Sequence, residues 1–315
     1  MDKRTLIAFL LIGALLVLTQ TTWYKKSVLG IKELPQKQVS MQDSTATQKE
    51  ENVASQKSED RAIASPQIEE EQPTEKIQQD RKESLSSFDS LSTVSTGREI
   101  YINTDKYEAL LNTKGATVKS WKLKNYFYDE NVPVQLIKKN GYGNLGIQFA
   151  VDQDTIKTQN FEFDVDKRTI DLTSGRTEDV LVFSLKLDNN RTLKKIFTFY
   201  KDKYIFDLRI ELTNLGEIID DQKYTLTWLS GLEYTEKNID EDIRNSKSYI
   251  YTGGGKEELK LPEKPNVKES TNEIEGKIDW VAIRTKYFAS IIFPDTEDDI
   301  SARLSGATES FGDEK

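Results

Sequence analysis

Two hydrophobic patterns divide the chain. From Thr5 to Trp23 runs a stretch without an ionisable side chain, preceded by Lys3 and Arg4 and closed by Trp23-Tyr24-Lys25-Lys26. As a helix this stretch rises about 28 Å, close to the roughly 30 Å hydrocarbon core of a bilayer. From Arg98 onward the pattern changes to period two. Phe161–Val165 alternates apolar and polar at every position. Tyr204–Leu212 places Tyr204, Phe206, Leu208, Ile210 and Leu212 on one face, with Asp207, Arg209 and Glu211 on the other. A helical template fails there, because three or four residues on from Tyr204 stands Asp207, and later Glu211. Strands with one buried and one wet face fit instead, which is the antiparallel habit.

The N-terminal run predicts an uncleaved transmembrane anchor over 1–26. Trp23 and Tyr24 suit the headgroup level, and Lys25 and Lys26 reach past it into water. The competing reading is a cleavable secretory signal, since the strictly apolar part is only Leu6–Leu18. Thr19-Gln20-Thr21-Thr22-Trp23 follows where a peptidase site needs small residues in an A-x-A-like pattern, and that favours the anchor. Residues 27–97 are predicted to be a disordered polar linker. From residue 32 they are rich in Gln, Glu, Lys and Ser with Phe88 as the one aromatic, too little apolar surface to offset the entropy of ordering. Glu69 through Lys82 reads as a solvated charge run in preference to a transient helix.

Further strands are predicted at Glu99–Ile102, Tyr107–Asn112, Thr117–Leu123, Gly146–Val151, Thr169–Leu172, Val180–Leu187, Thr192–Tyr200 and Tyr224–Trp228. Asp188-Asn189-Asn190, Lys201-Asp202-Lys203 and Asn214-Leu215-Gly216 supply turn chemistry between them. Leu193–Tyr200 and Tyr204–Leu212 flank the Lys-Asp-Lys turn as a hairpin. Tyr234–Lys277, with Gly253-Gly254-Gly255, Pro262 and Pro265, reads as a long surface excursion holding one short helix at Ile239 and Ile243. Trp280–Phe293 then returns to the core as strand. The fold class is all-β, a sandwich or barrel-like domain over 98–315.

Composition narrows the function. The formal net charge is −9, 31% of residues are charged and mean hydropathy is −0.62. An acidic balance argues against nucleic acid as a partner and against a broad footprint on anionic lipid. The chain has no Cys, which rules out disulfides, a lipoprotein anchor, thiolate metal sites and thiol nucleophiles. It has no His, so the usual general base, zinc ligand and triad member are missing. No enzymatic activity, cofactor or metal is therefore expected, and no catalytic, cofactor-binding or metal-ligating residue is assigned.

Gly253-Gly254-Gly255-Lys256 fails as a phosphate loop, because Ile250 stands where the first Gly belongs and Glu257 where Ser or Thr does. Asp240-Glu241-Asp242 and Asp295–Asp299 do not follow the calcium-loop pattern. Carboxylate pairs for glycoside chemistry need no His, but among 53 acidic residues a pair carries no specificity. The aromatics Trp121, Trp228, Trp280, Tyr287 and Phe288 lie in strand-like patterns and fit the core first. Trp280, Tyr287 and Phe288 are kept as candidate partner contacts.

The segment Gly276-Lys277-Ile278-Asp279-Trp280-Val281-Ala282-Ile283-Arg284-Thr285-Lys286-Tyr287-Phe288-Ala289, ending at Pro294, resembles the Trp-Val-Ala…Tyr-Phe-Ala…Pro signature of the YidC membrane-protein insertases. Asn112-Thr113-Lys114-Gly115 resembles a turn after that family's first strands. Leu193–Tyr200 with the strand ending at Asn214-Leu215-Gly216 resembles its central hairpin. Gly231-Leu232, Thr235-Glu236-Lys237-Asn238 and the opening Met1-Asp2-Lys3-Arg4-Thr5 also fit, in the same order. The likeness covers the anchor and essentially the whole folded segment.

The resemblance implies a β-supersandwich like that of sugar mutarotases, in the periplasm, on a protein of the inner membrane. It implies Sec translocon subunits and nascent membrane proteins as partners, with lipid contacted through the N-terminal helix. In the family, insertion resides in later transmembrane helices around a groove arginine. After Pro294 this chain has no apolar run, and Arg303 sits in a polar context, so an N-terminal portion of an insertase is expected. Positive-inside counting sets Lys3 and Arg4 against Lys25, Lys26, Lys32 and Lys37, which taken alone leaves the domain in the cytoplasm. The periplasmic placement rests on the family. Two other readings stay open: a membrane-tethered carbohydrate-binding or mutarotase-like protein, and a complete tethered periplasmic adaptor.

Overall fold

In the strand Thr192–Tyr200 (β10) every second side chain is buried. The computed structural model describes residues 73–92, 95–137, 143–187, 190–261, 269–296 and 298–308. The expected anchor, with Trp23, Tyr24, Lys25 and Lys26, and the expected linker up to residue 72 lie outside the described residues. Among the described residues no helix is long and apolar enough to cross a membrane.

The described part is mostly β, as predicted. One sheet runs in the order Val132–Gln135 (β4), Thr117–Asp129 (β3), Tyr107–Asn112 (β2), Glu99–Asn103 (β1) and Thr169–Asp171 (β8). It is antiparallel except for the β1–β8 pair. A second orders Phe206–Thr213 (β11), β10, Glu178–Lys186 (β9) and Asp164–Val165 (β7). A third places Tyr224–Thr227 (β12), Gly146–Val151 (β5) and Asp154–Lys157 (β6) side by side. These three sheets share one core, with Ile102, Tyr107 and Leu111 from the first, Phe183, Phe197 and Phe199 from the second, and Ile147 and Phe149 from the third. The expected hairpin is present, Thr192 pairing with Thr213 through to Phe199 with Phe206. Its second strand starts at Phe206, so Tyr204 and Ile205 belong to the turn and are exposed.

The linker expectation is corrected over Pro73–Leu91, which is a helix (α1). Phe88 is 1% exposed, stacked on Phe161 at 6.2 Å and edge-on to Phe149 at 5.6 Å. A single aromatic in a polar stretch is weak evidence of order when read locally. Here the apolar surface that orders it is contributed by β5 and by the segment after β6.

The surface-excursion expectation is corrected as well. Within Tyr234–Lys277 lie the helix Ile239–Asn245 (α2) and the strands Lys247–Thr252 (β13), Gly255–Glu258 (β14) and Ser270–Gly276 (β15). The stretch predicted as one returning strand is two, Ile278–Arg284 (β16) and Ala289–Ile292 (β17), and they fold back on each other. These build a sheet in the order β14-β13-β16-β17, and β15 pairs separately with Ile300–Gly306 (β18). Ile250, Ile278 and Ala302 form a second, smaller core. Glycines, charges and short strands concealed the period in this region.

One buried residue breaks the apolar rule. Lys195 stands on the inward face of β10 and is 0% exposed. Its Nζ donates to the carbonyls of Gly115 at 2.8 Å, Ala116 at 2.9 Å and Leu145 at 2.5 Å. All three acceptors have left-handed backbone, with φ of 73°, 47° and 64°. Their turns aim carbonyls inward, and an ammonium has three donors to meet them. Burial pushes the Lys195 ammonium down to about 7.

Candidate partner-contact surface

The turn between β16 and β17 carries two of the three aromatics kept as candidates, and a buried carboxylate sets its position. Asp242 in α2 is 0% exposed, whereas Ile239 and Ile243, the residues that suggested the helix, face solvent. Asp242 Oδ2 accepts the backbone N–H of Thr235 at 2.5 Å and of Glu236 at 3.0 Å. Its Oδ1 accepts the N–H of Lys286 at 3.1 Å. Backbone donors thus stabilise the buried charge, the strong class of hydrogen bond. The Thr285 N–H donates to Phe288 O at 2.8 Å and closes the turn. The Lys286 ammonium bonds Glu241, which holds the Glu241 carboxyl below its ordinary range and raises Lys286.

From this turn an aromatic shelf extends. Tyr287 is 63% exposed, with Lys286 Nζ 4.8 Å from its ring centroid. Phe288 is half-buried and meets Tyr126 edge-on at 5.5 Å. Tyr126 meets Tyr204 edge-on at 6.1 Å, and Lys106 Nζ lies 5.8 Å from the Tyr204 ring. Tyr126 sits where β3 has outrun β2, whose pairing stops at Leu123, and continues with β4 as a hairpin. Phe127, Tyr128 and Val132 on the same hairpin, and Ile205 next to Tyr204 in the chain, are exposed. Exposed apolar groups gathered in one place mark interaction surfaces, whereas scattered ones carry no such meaning.

Trp280 is not part of this shelf. It is half-buried and stacks on its register partner Tyr251 at 5.0 Å with an interplanar angle of 9°. It lies four residues up β16 from Arg284, about 13 Å of strand away from the turn. Trp121, expected in the core, is there, stacked on Tyr107 at 4.1 Å. Tyr126 and Tyr204 were missed. Tyr126-Phe127-Tyr128 is a non-alternating aromatic run just before Asp129-Glu130-Asn131, and that is the signal a strand template discards.

Among the described residues no group of three or more metal-ligating side chains converges. What the arrangement offers is a rigidly held aromatic surface with lysines along it, a chemistry of contact.

A family model of the YidC periplasmic domain matches residues 99–312, nearly the whole described β part. The chain belongs to that family. The match takes in the turn held by Asp242, the shelf and the Lys195 strand. Curated proteins named membrane protein insertase YidC are similar to it. The Chlorobaculum parvum protein is 34% identical over 217 residues, 68% of this chain and 36% of that protein. The Chlorobaculum tepidum protein is 29% identical over 296 residues, 93% of this chain and 46% of that protein. The Chloroherpeton thalassium protein is 27% identical over 296 residues, 92% of this chain and 46% of that protein. The chain therefore spans about a third to a half of the length of these relatives. The YidC resemblance drawn from Gly276–Pro294 is supported, and the carbohydrate and stand-alone adaptor readings are not favoured.

Proposed function

We propose that this chain is the anchor, linker and periplasmic domain of a YidC-type insertase of the inner membrane, and that it supports insertion and folding of integral membrane proteins. The match of the family model across 99–312 carries the reading, together with relatives named as insertases. The fold proposed is a β-supersandwich, to which the shared core of three sheets is congenial. Thr5–Trp23 is the proposed single N-terminal span, and Sec translocon subunits and nascent membrane proteins are the proposed partners. The shelf of Tyr126, Tyr204, Tyr287 and Phe288 is the proposed contact face.

Insertion itself needs a polar groove inside the bilayer, where an unpaired charge costs several kcal/mol. A single apolar run such as Thr5–Trp23 cannot enclose one. Residues 1–315 are therefore expected not to restore growth to cells depleted of their insertase. Rescue by these residues alone would overturn the proposal and place the essential surface on the β domain. For the contact face, a photo-crosslinking side chain at Tyr287 should capture a membrane-protein client during synthesis, and one at Glu99 should not. Equal capture at both positions would remove the shelf from the reading.

A further inference from the structure

The way α1 is held points to an interaction surface that works on this chain's own helix. Left to itself α1 is a poor helix. It contains Ser84, Ser86, Ser87 and Ser90, residues of middling propensity, and no basic residue stands in its last turn. Ser84, Ser87 and Ser90 donate back to the carbonyls of Asp80, Glu83 and Ser87, a habit that weakens helices. Its order comes from docking. Phe88 fills the gap between Phe149 and Phe161, with Leu85 and Leu91 packed partly beside it.

Around this one aromatic anchor the hold is polar and partly wet. Arg81 reaches Asp152 at 3.2 Å, Asp220 at 2.7 Å and the Glu217 carbonyl at 3.3 Å. Its Nε is buried without a hydrogen-bond partner. Arg191 reaches Asp80 at 3.4 Å and Ser84 at 3.3 Å. Such pairs weaken as salt screens them.

The receiving surface has a tie that does not involve the helix. Asp220 also accepts the backbone N–H of Gln153 at 3.1 Å, which ties it to the left-handed Asp152-Gln153 turn between β5 and β6. That contact, together with Arg81 of the docked helix and the Asp152 N–H, holds the Asp220 carboxyl below the ordinary range. Two acidic groups flanking an aromatic slot make a groove for a helix that carries Arg and Phe seven residues apart.

We propose that this groove is a reversible docking site for α1, and that α1 leaves it while the β domain stays folded. The docking equilibrium stands on these contacts alone. Its consequence rests on the anchored reading: α1 spans about 28 Å as a helix and up to about 65 Å as extended chain, so release lengthens the connection to the anchor.

The chain has no cysteine, so single thiols report without background. Full-length Ser84→Cys and Ala109→Cys proteins, in detergent micelles, are labelled with a maleimide. Ser84 lies in the docked face of α1 and Ala109 in the β core, both buried. Position 84 should react at least tenfold faster than position 109. Raising salt or adding Arg81→Ala should speed position 84 several-fold further and leave position 109 unchanged. Hydrogen exchange on the unsubstituted chain should show the same order, with α1 amides ahead of those of β10. Equal labelling and equal exchange in α1 and β10 would make the helix a fixed part of the core and overturn the proposal. Protection at position 84 that grows with protein concentration would also overturn it, because the helix would then be docking between copies.

Discussion

Asp242 and Lys286 are joined through the backbone, the carboxylate of one accepting the N–H of the other at 3.1 Å, and this bond fastens the β16–β17 turn to α2. The same carboxylate holds Thr235 and Glu236, so one side chain pins two loops. Replacing Asp242 with Ala should strand these N–H groups and destabilise the domain by about 2–4 kcal/mol. Thermal melts read the loss. Glu241→Gln keeps the backbone bonds to Asp242 and alters only the part-buried Lys286 ion pair, so it should cost less than Asp242→Ala in the same melt.

Lys195 gives the domain a pH signature. Its folded value near 7 lies below the ordinary 10.5 of an unfolded lysine. Between those values the unfolded chain keeps the proton and the folded chain sheds it, so stability rises with pH across that window. Below pH 7 the burden of burying charge is fully present. One proton sets an upper slope of about 1.4 kcal/mol per pH unit. Urea melts from pH 7 to 10 should show this rise, and Lys195→Met should flatten it. An equal slope in both proteins would remove Lys195 as its source.

Gly115 feeds the same node from the other side. Its φ is +73°, and an added Cβ would stand 2.5 Å from Gln159 Cα, a backbone atom that cannot swing away. Gly115→Ala should therefore destabilise by about 1–3 kcal/mol. The open left-handed Gly254, with nothing within 4 Å, is the control. Its Ala variant suffers backbone strain alone and should lose less in the same melt.

Phe88→Ala should weaken the docking of α1 by about 3–5 kcal/mol, the range for removing a buried aromatic. If α1 detaches on its own, proteolysis will cut within 73–91 and leave the β strands intact. Digestion of the β strands at the same rate would tie them to the helix.

Much of the sheet was legible because alternation is local. Tyr107–Asn112, Gly146–Val151 and Thr192–Tyr200 have the bounds predicted for them. The failures share a physical cause. Phe88 looks isolated in its own segment, and its partners Phe149 and Phe161 lie some sixty residues or more along the chain. β15 pairs with β18 across the intervening strands β16 and β17, and Asp242 meets backbone N–H groups both near it and, at Lys286, far along the chain. At the candidate surface, Tyr287 and Phe288 were kept as candidate contacts but read as part of one strand over Trp280–Phe293, and the turn that exposes Tyr287 was not legible. Trp280 was not separable from them, since only register shows that it faces Tyr251.

Lys195 has a consequence for how this sequence can drift. Gly115, Ala116 and Leu145 turn their carbonyls inward because their φ angles are positive, and the N–H donors of Lys195 are what make those kinks tolerable in a dry interior. Neither half is useful without the other. A lineage that loses the lysine must straighten both turns or recruit another donor, and one that straightens the turns must shed the lysine. The strand and the two distant bends are thus bound to a shared evolutionary fate.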